Sequence, residues 1–267
     1  MRYFLGGVIR EMAIVLFDNG THKCLMFDDL VDDSADHAVQ SNQFLIVDNG
    51  HGAILDPGGN MTYNGLRLEM THYFPPKKLE YILASHADPD IVASLNRWLL
   101  NTDCNVLISE LWVKFLPHFC TMGGAEGRIK GIPDRGMNIP LGNCVLKAVP
   151  AHFMHSEGNF QFYDPVSKIL FSGDMGASIV AHSEADIPVD NFRAHISYME
   201  GFHRRYMVSN KICRYWVKMV RQMDVEAIVP QHGRMFKGKK MVNEFLDWIE
   251  NLNCGIDLMT QDNYRLP

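Results

Sequence analysis

The 267-residue sequence predicts one α/β domain, spanning 1–267, in which helices pack on sheets. Three observations lead there. Short apolar segments closed by turn residues alternate with stretches whose apolar positions recur at helical spacing. No Ser/Gly-rich linker, charge block or repeat divides the chain. Hydrophobic residues make up 47% and charged residues 21%, an ordinary globular balance that excludes a disordered or fibrous chain.

The N-terminal quarter reads as strands. Gln43 to Asp48 runs into Asn49-Gly50, a pair suited to the tight turn between antiparallel strands. His51 to Leu55 follows and stops at Asp56-Pro57-Gly58-Gly59, so a hairpin of two buried strands is expected. Tyr81 to Ala84 is a short strand ending at Ser85-His86. Beyond it Ile91, Val92, Leu95, Trp98 and Leu99 keep helical spacing, which starts a helix near Asp90 with Asp88 as N-cap and Pro89 as first residue. Cys144 to Val149 is a strand halted by Pro150, and Phe160–Tyr163, Asp164-Pro165 and Ile169–Phe171 read as strand, turn and strand. Ile212, Tyr215, Trp216, Met219 and Met223 mark an amphipathic helix. Ala227–Val229 is a strand closed by Pro230, and Met241, Phe245, Ile249 and Leu252 mark a last helix.

Composition narrows the function. A net charge of −6 lacks the basic stripe of a nucleic-acid surface, so no nucleic-acid partner is expected. No apolar run approaches the ~18–20 residues of a membrane-spanning helix, so no membrane is expected either. The stretch from Tyr3 to Ile9 ends at Arg10-Glu11, too short and too charged for a secretory signal. The six cysteines form no CxxC pair and read as reduced, mostly buried thiols of a cytoplasmic protein.

Four segments share one pattern, an apolar strand followed by metal-binding side chains. They are Leu83 to Asp90 with His86, Asp88 and Asp90; Val149 to Ser156 with His152 and His155; Leu170 to Asp174; and Ile228 to Gly233 with His232. One aspartate or histidine after a strand is an ordinary turn or core residue. Four such strand ends in series point to ligands converging on a shared metal site, because rigid strands can aim their loops at one place.

In order and spacing these segments resemble the metallo-β-lactamase superfamily. Its first motif corresponds to His86-Ala87-Asp88-Pro89-Asp90. The distant histidine is better placed at His155 than at His152, since His155-Ser156-Glu157-Gly158-Asn159 looks like the superfamily's turn and Asp174 follows 174 − 155 = 19 residues later. Tyr163-Asp164-Pro165, His232 and the Asp56-Pro57-Gly58-Gly59 landmark complete the likeness, from about Gln43 to about Phe236. It implies a metallo-β-lactamase-type αββα sandwich. Zinc hydrolases of the superfamily usually carry histidine where this chain has Asp88 and Ile91. Oxygen-rich donors suit iron and O₂ chemistry better than an imidazole-rich zinc site does. The set is similar to the di-iron domain of flavodiiron proteins, and looks closest to stand-alone oxygen-binding di-iron proteins of bacteria.

That resemblance implies two iron ions: one held by His86, Asp88 and His155, the other by Asp90 and His232, with Asp174 bridging. Ile91 cannot donate, so either the second metal has a coordination position beside an apolar side chain, or Ile91 packs in the first turn of its helix and a water or another residue fills the site. His152 reads as pocket lining or as surface. His203 and Tyr206 read as packed or exposed residues, or as hydrogen-bond donors to bound oxygen. The ~30 residues after His232-Gly233 are too few for a flavodoxin domain, so no FMN is expected in this chain. The leading expectation is a protein that binds O₂ and serves as an oxygen (and iron) sensor feeding a bacterial signalling pathway. Two enzymatic alternatives stand beside it: an O₂/NO reductase fed by an external flavoprotein, and a binuclear metal-dependent hydrolase. A signalling or redox protein partner is implied, and a homodimer is compatible with the chain.

Overall fold

The computed structural model describes residues 13–28, 30, 38–121 and 125–267. The Tyr3–Ile9 stretch lies outside them. The first sheet holds seven strands in sequence order: β1 (Ala13–Asp18), β2 (His22–Phe27), β3 (Gln43–Asp48), β4 (His51–Leu55), β5 (Leu79–Leu83), β6 (Asn105–Ser109) and β7 (Ile129–Ile132). β1 to β4 run antiparallel, and β4 to β7 are parallel neighbours. Parallel strands need crossovers, and the chain supplies helices for two of them: α1 (Tyr63–Met70) between β4 and β5, and α2 (Pro89–Val92) with α3 (Leu95–Asn101) between β5 and β6.

The second sheet has six strands. β8 (Met137–Leu141), β9 (Cys144–Pro150), β10 (Phe160–Asp164) and β11 (Ile169–Phe171) form an antiparallel meander. β12 (Ala227–Val229) then joins β11 in parallel, and β13 (Phe236–Lys237) pairs with β12. The return to β12 passes through α4 (Phe192–Tyr206) and α5 (Asn210–Val220), and α6 (Lys239–Glu250) follows β13.

Strand alternation assigns each side chain to a layer. On β2, Leu25 and Phe27 pack with Leu66, Trp98 and Leu99 of the first helical layer, while Cys24 and Met26 face the second sheet. Between the sheets lie Phe44, Ile46, Leu55, Leu146, Phe160, Phe162 and Phe171, with the rings of Phe44 and Phe171 4.9 Å apart. The far face of the second sheet carries Leu170 and Ile228, covered by Met199, Trp216, Val217 and Phe245 of α4, α5 and α6. Helix, sheet, sheet, helix is the αββα sandwich that the resemblance implies.

The Asn49-Gly50 turn forms between β3 and β4, with both residues at positive φ (48° and 83°), as a hairpin turn of this kind requires. The continuous helix expected from Asp90 to Leu99 is instead two. Helix α2 ends at Val92 with Ala93 as its C-cap, and the Ser94 hydroxyl donates to the Gly58 carbonyl at 2.5 Å, tying the break to the loop after β4. Among the described residues no helix is long and apolar enough to cross a membrane. Phe171→Ala should open a cavity between the sheets and cost about 3–5 kcal/mol, read as a lowered midpoint in denaturant unfolding.

Candidate metal centre

Every candidate donor leaves the C-terminal end of a strand or the loop just beyond it. His86 follows β5; Asp88 and Asp90 open α2; His155 lies between β9 and β10; Asp174 follows β11; His232 follows β12. Backbone hydrogen bonds draw these loops together. The Phe160 N–H donates to the Ser85 carbonyl (2.8 Å), joining the two sheets beside His86. Gln231 N–H donates to Gly173 O (2.8 Å) and Ser178 N–H to His232 O (3.1 Å), fastening the last two loops to each other.

All six sequence-predicted donors meet in one place, in two groups. His86, Asp88, His155 and Asp174 present donor atoms that all lie within 4.8 Å of one another. In that group Asp174 Oδ2 stands 2.9 Å from His155 Nε2 and 3.8 Å from His86 Nε2, while Asp88 Oδ2 is 3.4 Å and 3.6 Å from the same two nitrogens. Asp174 turns its other oxygen the opposite way, with Oδ1 3.5 Å from His232 Nε2, which is itself 3.2 Å from Asp90 Oδ2. One carboxylate thus faces both groups, one oxygen to each. His86 and Asp174 are buried, whereas the Asp88 and Asp90 side chains are 43% and 44% exposed, so the cluster opens to solvent on the α2 side.

Supporting bonds fix the rings. His232 Nδ1 donates to the Gln40 carbonyl (2.7 Å), and His86 Nδ1 meets Ser85 Oγ (2.9 Å); each leaves Nε2 directed at the carboxylates. Asp88 takes the N-cap position of α2 with Pro89 behind it, yet its side chain caps nothing, being turned toward His86 and His155 instead. Near Gly158, Ser109 Oγ would lie 2.5 Å from any added Cβ, so the turn after His155 has room only for glycine.

The charges answer one another. Burial works against a charged His155, but hydrogen bonds to Asp174 and Asp88 outweigh it and push the pKa up to about 10. His232 is pushed up to about 9, burial again being outweighed by Asp90 and Asp174. Burial would raise the Asp174 pKa, but His86, His155 and His232 bring it down to about 2. Asp88 is lowered by its hydrogen bonds to His155 and His86.

Two divalent ions suit this arrangement. The buried Asp174 Oδ1 has no hydrogen-bond partner, three Nε2 atoms converge on three carboxylates, and such carboxylates offset most of the charge of two divalent ions. The second group is the thinner one, with Asp90 and His232 facing a single Asp174 oxygen.

For the neighbouring residues the structure selects among the readings that the sequence leaves open. His203 has both ring nitrogens engaged: Nδ1 donates to Met199 O (2.8 Å) and Nε2 accepts from Gly176 N–H (2.9 Å). It therefore anchors the turn after Asp174 and has no N–H left for a bound molecule. Tyr206 lays its ring 5.5 Å from that of His155 and stacks on Phe202 at 4.7 Å. His152 points away, its Nε2 2.7 Å from the Asp134 carbonyl. Ile91 is fully buried in the apolar cluster with Leu95 and Trp98, the packed place that one of its two sequence readings expects.

Sequence reasoning assigned no role at the site to Asp56, Gln231 or Asn42. Asp56 is buried, accepts from Ser85 N–H (2.7 Å), and has its pKa raised to about 6 by that burial. Gln231 donates to Asp90 Oδ2 (3.1 Å), and Asn42 Nδ2 donates to Pro230 O and Gly233 O (3.0 Å each), bracketing His232. Their only signals were adjacency: Gln231 beside His232, and Asp56 in the turn after β4.

Because the raised imidazoles hold protons near neutrality, a metal ion must displace them. Metal affinity should rise as pH increases from about 6 to 9, with protons released on binding. Competition titrations against a chelator across that range check the sign.

Comparison with known proteins adds the family. Residues 39–233 match the model of the family described as ODP family beta lactamase. The solved structure of the peroxy diiron species of a chemotaxis sensor, ODP, is 39% identical, covers 95% of this chain and 99% of its own, and superposes with a TM-score of 0.82. The apo state of the chemotaxis sensor ODP from T. denticola is 38% identical, with the same coverage and a TM-score of 0.80. A flavo di-iron protein from Thermotoga maritima shares the fold at 17% identity and a TM-score of 0.71, over 89% of this chain and 60% of its own. An uncharacterized protein of Methanocaldococcus jannaschii is 24% identical over 79% of this chain; the chain spans about half (53%) of that curated relative. The matched span contains all six candidate donors, and with it the chain belongs to the ODP family beta lactamases.

Proposed function

We propose that this chain is a non-haem di-iron protein that binds O₂ and reports it to a signalling partner. The observation that carries the reading is the Asp174 carboxylate, buried between two donor groups and turning one oxygen to each. His86, Asp88 and His155 would hold one iron and Asp90 and His232 the other, with Asp174 shared. Two irons held there would supply the redox-active positions at which O₂ binds. Half of the six donors are carboxylates, which favours iron over zinc. The likeness to a chemotaxis sensor over nearly the whole of both chains supports sensing above turnover.

The chain's own residues prepare the place. Phe202 and Tyr206 form an aromatic wall beside His155, giving a small apolar molecule a weakly hydrated surface. The exposed side chains of Asp88 and Asp90 mark the side from which ligand and metal enter. His203 and Gln231 hold the turn after Asp174 and the carboxylate of Asp90 in position. As part of the proposal the whole chain acts as one domain in the cytoplasm, and electrons, where needed, come from a separate protein.

Protein purified from an iron-replete host should contain two irons per chain and gain a new visible absorption band when O₂ is admitted to the anaerobic sample. Zinc alone in such a preparation overturns the proposal. Sustained O₂ or NO consumption with a reduced flavoprotein would move the assignment to a reductase, and turnover of thioesters or phosphodiesters that survives replacement of iron by zinc would move it to a hydrolase. Asp174→Ala should lose one or both metals and any binuclear signal, measured by metal analysis; full binuclear occupancy in that variant would mean the shared position is wrongly assigned.

A further inference from the structure

A second cluster of metal-ligating side chains lies at the opposite end of the sandwich. His22 opens β2 and faces Asp48 at the end of β3, while Asp164 ends β10 in the other sheet. The strands β4, β5, β11 and β12 lead away from this end toward the candidate metal centre. His22 Nδ1 is 2.9 Å from Asp48 Oδ1, and Nε2 is 2.8 Å from Asp164 Oδ2. Cys24 Sγ lies 3.6 Å from His22 Nε2 and 3.3 Å from Asp164 Oδ2. Cys144 stands with His22 and Asp48 in a group whose donor atoms lie within 4.8 Å. All five residues are buried.

Without a metal the cluster is crowded. An imidazole flanked by a carboxylate at each nitrogen is an imidazolium, and both its protons are then spoken for. Asp164 Oδ2 receives His22 Nε2–H, the Cys24 thiol, and both the N–H and the hydroxyl of Ser167. Four donors on one carboxylate oxygen exceed what its lone pairs accommodate well.

We propose that His22 Nε2, Cys24 Sγ and Asp164 Oδ2 form a structural site for a borderline-soft divalent cation of the Zn²⁺ class. Tetrahedral zinc with bonds of about 2.0–2.3 Å sets its ligands roughly 3.3–3.7 Å apart. The two edges made by Cys24 already measure 3.6 and 3.3 Å. The nitrogen–oxygen edge of 2.8 Å has to open by about half an ångström. Asp48 on the far ring nitrogen supplies the carboxylate that orients a metal-bound histidine. The exchange balances: one M²⁺ enters, bonds form to nitrogen, sulfur and oxygen, and two protons leave to solvent, one from the imidazolium and one from the thiol. Net charge in the buried cluster is unchanged, so the metal adds no uncompensated charge to the interior. Thiolate and imidazole select this ion here, whereas the cysteine-free set at the other end selects iron. The site would link β2 of one sheet to β10 of the other.

The test uses the full-length metal-free chain titrated with Co²⁺. Only a thiolate ligand produces a thiolate-to-cobalt charge-transfer band in the near ultraviolet, and the six-donor centre contains no cysteine. The band should develop in the parent protein, persist in Asp174→Ala, and be lost in Cys24→Ser. A parent protein that takes up Co²⁺ with no such band overturns the site and leaves His22 as an imidazolium pairing the two aspartates. A band that survives in Cys24→Ser overturns it equally, since another thiol is then the donor.

Discussion

Asp174 sits in a surrounding that would neutralise an ordinary carboxylic acid, since burial alone raises its pKa; it stays ionised because His86, His155 and His232 face it. Those three imidazoles come from three different loops, and each is held by its charge partner as much as by its own backbone. Removing a buried charge from such a set leaves its partners uncompensated, a larger penalty than losing a surface pair. The geometry of the centre is therefore a consequence of mutual charge balance, and the sandwich around it serves to bring the loops within reach of that balance.

The two sheets supply that reach. Main-chain bonds cross between them at the loop ends: Phe160 N–H to Ser85 O, and Asn42 N–H to Gln231 O at 2.6 Å. Such bonds depend on neither charge nor metal. They set the spacing of the loops, while the ionisable side chains set only their final orientation. His203 repeats the division of labour from α4, where a neutral, buried imidazole fixes the backbone of Gly176 through one hydrogen bond.

Much of this was legible in the sequence because it is local. Asn49-Gly50 specifies its own turn, and strand ends bearing His86, His155, Asp174 and His232 announce themselves within a few residues. The parts that escaped are those decided at a distance. A helical stripe from Ile91 to Leu99 gives no sign that Ser94 will bond Gly58 and split it. Helix α4 hides its apolar face among histidines, arginines and Gly201, and only the packing of Phe192 and Met199 on the second core reveals it. His22 and Asp164 are separated by 142 positions, so no window of sequence could have paired them. Ile91 shows the reverse, a residue whose neighbours in sequence are donors but which packs in the apolar cluster with Leu95 and Trp98.

The start of α2 carries a conflict with consequences for how this sequence can drift. Asp88 occupies the position where a side chain ordinarily satisfies the first free N–H groups of a helix, and it declines that role to face two imidazoles. A cap of this kind contributes on the order of 1 kcal/mol, so the four-residue helix begins at a disadvantage that Pro89 offsets only in part. Serine or asparagine there would suit the helix and remove a charged donor from the cluster. Lineages that relax selection on the centre should therefore lose it first at this position, where a recovered cap offsets part of the lost charge pairing, while Asp174, with no such competing role, should be among the last to go.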